Sequence, residues 1–159
     1  MHNDRAPPRN RLTQARRQAA LLLDKHSISD LPIPVEEIAA AEGLRIVRCR
    51  LEVDGHQLDG LLHEDRIEVN EGQALVRQRF TISHELGHKI LHDGRPVDET
   101  AEREADAFAG ALLIPAGFLK REFAKTPDPP ALCRLFLVSE PALWIALKEH
   151  RLDRQLPRR

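Results

Sequence analysis

The sequence predicts an α+β domain, mainly helical, with a small, largely antiparallel three-stranded sheet packed on one long helix. Apolar residues recur at three- and four-residue spacing over most of the chain, the mark of amphipathic helices. Between residues 44 and 70 this gives way to short β-favouring runs broken by turn residues. Helical spacing then returns over residues 73–92, in a segment long enough to carry the sheet on one side.

Composition sets the frame for these elements. The chain has 159 residues and a mass of 18.0 kDa, enough for one core. Hydrophobic residues make up 42% and charged residues 31%, a balance that supports folding and argues against disorder. A net charge of −1 gives no general attraction to nucleic acid, so no direct nucleic-acid partner is expected. No apolar run approaches the roughly 18 residues that cross a bilayer, and the opening MHNDRAPPRN lacks a signal-like stretch. No membrane association is expected, and a cytoplasmic location follows. Cys49 and Cys133 form neither a CxxC pair nor a disulfide framework, which excludes a cysteine metal cluster.

In chain order, residues 1–10 hold two prolines without apolar periodicity and are expected to form a disordered tail. Residues 11–150 form the single domain, and 151–159 a basic tail. Leu12, Ala15, Ala19, Leu22 and Leu23 predict a first helix, ending before residues 29–32. Pro34 opens a second helix that buries Val35, Ile38 and Ala39, with Gly43 placed to cap it. Strands are expected at 44–51, 58–62 and 66–69, separated by Asp54-Gly55 and by His63-Glu64-Asp65. The long helix at 73–92 carries Val76, Phe80, Ser83, Gly87 and Ile90 and is stopped by Asp93-Gly94 and Pro96. A helix at about 98–113 follows, with Ala101, Ala105, Phe108 and Leu112 on one stripe. A short helix near 116–124, a loop over 126–130 and two last helices complete the chain, the final one capped by Ser139 and carrying Leu143, Trp144 and Leu147.

The chemistry sits in the long helix, where His84-Glu85-Leu86-Gly87-His88 forms His-Glu-x-x-His. Histidines four apart on a helix have Cβ atoms about 5–6 Å apart, so both rings can meet one ion. A shuffle of this composition yields the pattern only about 0.03 times, so coincidence is a poor explanation. Glu85 lies about 100° around the helix from His84 and can reach a water at the ion without being a ligand. Gly87 in mid-helix costs roughly 1 kcal/mol against alanine, which points to another element packed close.

A catalytic zinc takes three protein ligands and keeps one position open. His92 continues the series but lies about 12 Å along the axis from His84, too far to share the ion. The next helix offers Glu102, Glu104 and Asp106. Glu102 and Asp106 share a face, which assigns Glu102 as third ligand and Asp106 as hydrogen-bond acceptor from a ligand histidine. Glu104 is the substitute if that helix is rotated. Without any tyrosine in the chain, the donors for a developing oxyanion or for substrate come down to His63, Arg79 and His92. The strand at 66–70 is expected to form the rim of the cleft, where an extended substrate adds as a further strand.

These residues, with their surroundings, resemble the ImmA/IrrE family of metallopeptidases. The resemblance runs through the helix from Pro34 to Ala39, the hairpin ending Ile67-Glu-Val-Asn70, and Arg79-Phe-Thr-Ile-Ser-His-Glu-Leu-Gly-His88 with Leu91-His92. It continues through Glu102-Arg-Glu-Ala-Asp-Ala-Phe-Ala109, Leu112-Leu-Ile-Pro115, and Val138 and Ser139 with Ala142 and Leu147, covering roughly residues 15–150. It implies a zincin-like, gluzincin-like zinc endopeptidase of bacteria, phage or mobile elements that cleaves a helix-turn-helix repressor. Under it His84 and His88 are zinc ligands, Glu85 the general base, and Glu102 the acidic ligand with Glu104 beside it; manganese or iron are the alternative metals. Many relatives have an arginine where this chain has Ala146, and some carry a helix-turn-helix domain for which 159 residues leave no space.

Three other readings compete. A non-catalytic metal-binding regulator that binds such a repressor uses the same ligands, and a toxin-antitoxin component describes a biological setting for either. A DNA-binding module is disfavoured, because the candidate recognition helix begins Glu140-Pro-Ala-Leu-Trp, without groups for phosphate or base edges. The oligomeric state is left open.

Overall fold

A computed structural model of the chain describes residues 8–157. Helix α1, Pro8–Lys25, buries Ala15, Ala19, Leu22 and Leu23, the stripe marked in the sequence. It takes in residues 8–10, which were expected in the N-terminal tail; residues 1–7 lie outside the described ones. Helix α2, Val35–Ala41, buries Val35, Ile38 and Ala39. It ends in a Schellman cap: Gly43 takes φ +85°, its N–H donates to Ala40 O at 3.0 Å, and the Leu44 N–H donates to Ala39 O at 2.9 Å.

The sheet is mixed, which corrects the expected largely antiparallel one. Strands β1 (Arg45–Cys49), β4 (Gly60–Leu62) and β5 (Arg66–Asn70) lie in the order β1-β5-β4, with β5 antiparallel to β4 but parallel to β1. The Asp54-Gly55 turn, both residues at positive φ, closes a separate small hairpin of β2 (Glu52–Val53) and β3 (His56–Gln57). Residues 50–65 thereby make an excursion long enough to return β5 alongside β1 in the same direction. Ile67 and Val69 of β5 are fully buried in the core with Ile82 and Leu86 of the long helix α3, Leu75–His92.

Helix α4, Glu99–Leu113, starts at Asp98, whose side chain accepts from the Ala101 N–H at 2.8 Å. It folds back on α3 and also packs along α1. A Cβ at Gly87 would lie 2.9 Å from Phe108 Cδ1, so the glycine admits the Phe108 ring and brings α4 onto the His-Glu-x-x-His face. Helices α5 (Ala116–Lys125), α6 (Pro129–Phe136) and α7 (Glu140–Glu149) follow, with Asp128 capping α6 and Ser139 capping α7. The loop expected over 126–130 is thus shorter, because the two prolines fit the first turn of α6. In the expected basic tail, Leu152 is buried and Asp153–Gln155 form a 3-10 turn; residues 158–159 lie outside the described ones. Both cysteines are free, and no single helix among the described residues is long and apolar enough to cross a membrane.

Gly87→Ala sets a helix-propensity gain of about 1 kcal/mol against an overpacking cost of about 1–3 kcal/mol. Because the obstacle is a buried ring, urea unfolding of the metal-free protein is expected to show net destabilisation. An unchanged or raised midpoint would show that α4 does not depend on this contact.

Candidate metal centre

Helix α3 presents His84 and His88 one turn apart toward the first turns of α4. Their Nε2 atoms stand 3.0 Å apart. Glu102 of α4 closes the triangle, with Oε2 3.2 Å from His84 Nε2 and Oε1 3.2 Å from His88 Nε2. Zinc bonds of about 2.0–2.1 Å at tetrahedral angles separate donor atoms by about 3.3 Å. The nitrogen–nitrogen distance, and the distance from each nitrogen to its nearer Glu102 oxygen, are close to that separation, and the three side chains form the one cluster among the described residues that could hold a metal ion. The Glu102 side chain is about half exposed (51%), so the cluster meets solvent on its Glu102 side.

The far side of each ring is also held. Asp106 Oδ1 lies 2.8 Å from His84 Nδ1, the partnership the sequence assigns. His88 Nδ1 lies 3.1 Å from His92 Nδ1, and His92 Nε2 donates to Glu104 Oε2 at 2.6 Å. Glu104 is thus bound to His92, and Glu102 alone of the two acids faces the ligand nitrogens. His92, a candidate for oxyanion or substrate contact, is instead buried behind His88, against its Nδ1. Eight residues separate His92 from His84 but only four, one helical turn, from His88, which brings those two rings together.

Arg79 also takes a different place from the expected one. It is buried, and its guanidinium donates to Ile33 O at 2.8 Å and Leu137 O at 3.3 Å, tying the loops before α2 and after α6 to α3. Burial lowers its pKa, against the pull of Glu36 and Glu37. His63, just past β4, has its Nε2 3.2 Å from Glu68 Oε2 and pairs with the sheet instead of the cluster. The sequence reading missed Gly60. A Cβ there would collide with Thr81 Cγ2 and come 3.8 Å from Glu85 Cγ, so glycine lets β4 lie directly on α3 beside Glu85. Its only signal was a glycine inside a strand pattern.

The electrostatics separate the roles. Burial pushes the Glu85 carboxyl pKa up, His84 opposes this and Glu102 adds to it. For His84, burial disfavours charge, but the Asp106 hydrogen bond and the fields of Glu85, Asp106 and Glu102 win and raise its pKa. His88 is lowered, first by burial, then by the charge of His84, with Glu102 opposing. An apolar groove of about 830 Å³ starts at Phe80 and Asp106 and runs between α1, α4, α5 and α7 past Ala111, Phe118 and Ile145.

Two helix-borne histidines, a carboxylate from the next helix and a further glutamate beside them form a candidate metal site in an α+β domain of the metallopeptidase type. A family model described as Peptidase_M78, IrrE N-terminal-like domain, matches residues 39–148, and the chain belongs to this family. Among solved structures it is similar to one described as a Mycobacterium tuberculosis transcriptional regulator, with a TM-score of 0.63 and 18% identity. That alignment covers 82% of this chain and 44% of the other, so this chain spans under half the length of that protein. No curated protein matches.

Removing a ligand and removing its partner should differ in degree. Asp106→Ala is expected to weaken zinc binding about 10- to 100-fold, and Glu102→Ala by more than that. Competition with a coloured chelator measures both, and a Glu102→Ala protein that binds zinc like wild type would remove Glu102 from the site.

Proposed function

We propose that this protein is a zinc-dependent, zincin-type endopeptidase that cleaves a helix-turn-helix transcriptional repressor in the cytoplasm. The observation that carries the reading is the triangle of His84, His88 and Glu102 with Glu85 beside it, half-buried and outside the ligand set. Two imidazoles and one carboxylate suit zinc, with manganese or iron as lesser matches.

When bound, the ion supplies Lewis acidity and brings the pKa of water toward neutrality. The rest is the work of the chain. Glu85, one residue from His84, takes a proton from the attacking water and returns it to the leaving amine. A carboxyl group with a raised pKa serves both directions, since it accepts at neutral pH and releases easily. Asp106 holds His84 in orientation through its Nδ1.

Substrate would lie along β4. The strand expected to receive it, β5, is central, with both edges already paired. Among the described residues β4 keeps an unpaired edge, and Gly60 brings that strand against Glu85. An extended peptide added there would run beside Glu85, and the apolar groove at Asp106 would offer room for further side chains. A repressor as substrate is supported by the family resemblance and by the regulator description of the structural neighbour. The same description favours one alternative, a metal-binding regulator without catalysis.

Incubation with the product of an adjacent helix-turn-helix gene separates the two readings. Defined fragments are expected by mass spectrometry, abolished by chelation and restored by zinc. Glu85→Gln should slow cleavage by about 10²- to 10⁴-fold while zinc content stays at the wild-type level. Cleavage that survives this substitution would exclude Glu85 as the base, and intact repressor with the zinc-loaded wild type would favour the non-catalytic reading.

A further inference from the structure

We propose that Glu104, acting through His92, is a positioning device that decides which nitrogen of His88 is free to bind the ion. The proposal rests on His84, His88 and Glu102 forming a metal site. His92 is 7% exposed and the Glu104 side chain 13%, so water competes little for their hydrogen bonds. Glu104 is held from the other side by Arg11 of α1, whose guanidinium lies 3.5 Å from Oε1.

The hydrogen atoms follow from the partners. A carboxylate only accepts, so His92 Nε2, 2.6 Å from Glu104 Oε2, carries a proton. Neutral His92 then has a bare Nδ1. The 3.1 Å contact between His92 Nδ1 and His88 Nδ1 needs one donor, and His88 must supply it. Neutral His88 is left with its lone pair on Nε2, the atom that faces His84 and Glu102. The opposite tautomer would aim an N–H at the position of the ion.

Asp106 does this directly for His84 at 2.8 Å. The two ligand rings are therefore set in the same tautomer by two carboxylates of α4, one in direct contact and one through an intervening imidazole. This is the carboxylate–histidine–metal arrangement extended by one ring.

The test uses the full chain with three variants. His92→Leu removes both nitrogens, His92→Asn keeps an acceptor near the Nδ1 position, and Glu104→Gln keeps shape without the charge. Zinc affinity should fall about 10- to 100-fold in His92→Leu, recover most of that loss in His92→Asn, and fall by an intermediate factor in Glu104→Gln. Nitrogen-15 spectra of the metal-free chain at about pH 8, where an ordinary imidazole is neutral, report the tautomer directly. Wild-type His88 should carry its proton on Nδ1, and His92→Leu should shift it to a mixture. A packing role alone would lower the melting temperature of His92→Leu and leave the tautomer in place, which overturns the proposal. So would a wild-type His88 protonated on Nε2, or unchanged zinc affinity in all three variants. If His92→Leu does not fold, His92→Asn and Glu104→Gln carry the same readouts. A wild-type chain that binds no zinc would sink the metal site itself, a failure distinct from normal zinc binding with an indifferent His92.

Discussion

The contact of Phe108 with Gly87 is the constraint on which the rest of the site depends. The absence of a side chain at Gly87 lets α4 settle on α3 within one ring thickness, and a Cβ would already stand 2.9 Å from the ring. That approach places three acids of α4 within reach of three histidines of α3, pairing Glu102 with His84 and His88, Asp106 with His84, and Glu104 with His92. Packing density transmits such placements faithfully, because a well-packed interface does not deform by degrees.

The electrostatic pattern follows from this placement. Carboxylates gathered around imidazoles stabilise each other's partners, and each acid but Glu85 has a nitrogen to face. Glu85 is the exception: burial raises its pKa, and β4 closes over it through Gly60. A carboxyl group whose charged form is disfavoured, beside a candidate metal site, has the character that a proton-transferring role requires. Helix α4 supplies Glu102 to the site, and β4 lies against Glu85.

Much of this could be read from residues alone, and the limits have physical causes. His84, Glu85, His88, Glu102 and Asp106 are fixed by helical periodicity, which converts spacing into direction without knowledge of the fold. Gly87 announced a close neighbour because a mid-helix glycine is costly, and the neighbour proved to be Phe108. The direction of β1 was not legible, because a strand's partners depend on where a sixteen-residue excursion returns, and local pattern does not record that. The burial of Arg79 by two loop carbonyls and the covering of Glu85 by Gly60 depend on contacts between distant segments. His92 lay within helical reasoning, since it is one turn from His88, but the roles expected of it were ligand and oxyanion or substrate contact, with no partnership to His88 among them.

If donors from two neighbouring helices hold one divalent ion and leave it a free position, X-ray absorption at the zinc edge of the loaded protein reads the result as a ligand shell. One zinc per chain is expected, with only nitrogen and oxygen scatterers at about 2.0–2.2 Å, two of them imidazoles, and a shell that changes in Glu102→Ala. Substoichiometric zinc, or a sulfur scatterer at about 2.3 Å, would contradict it.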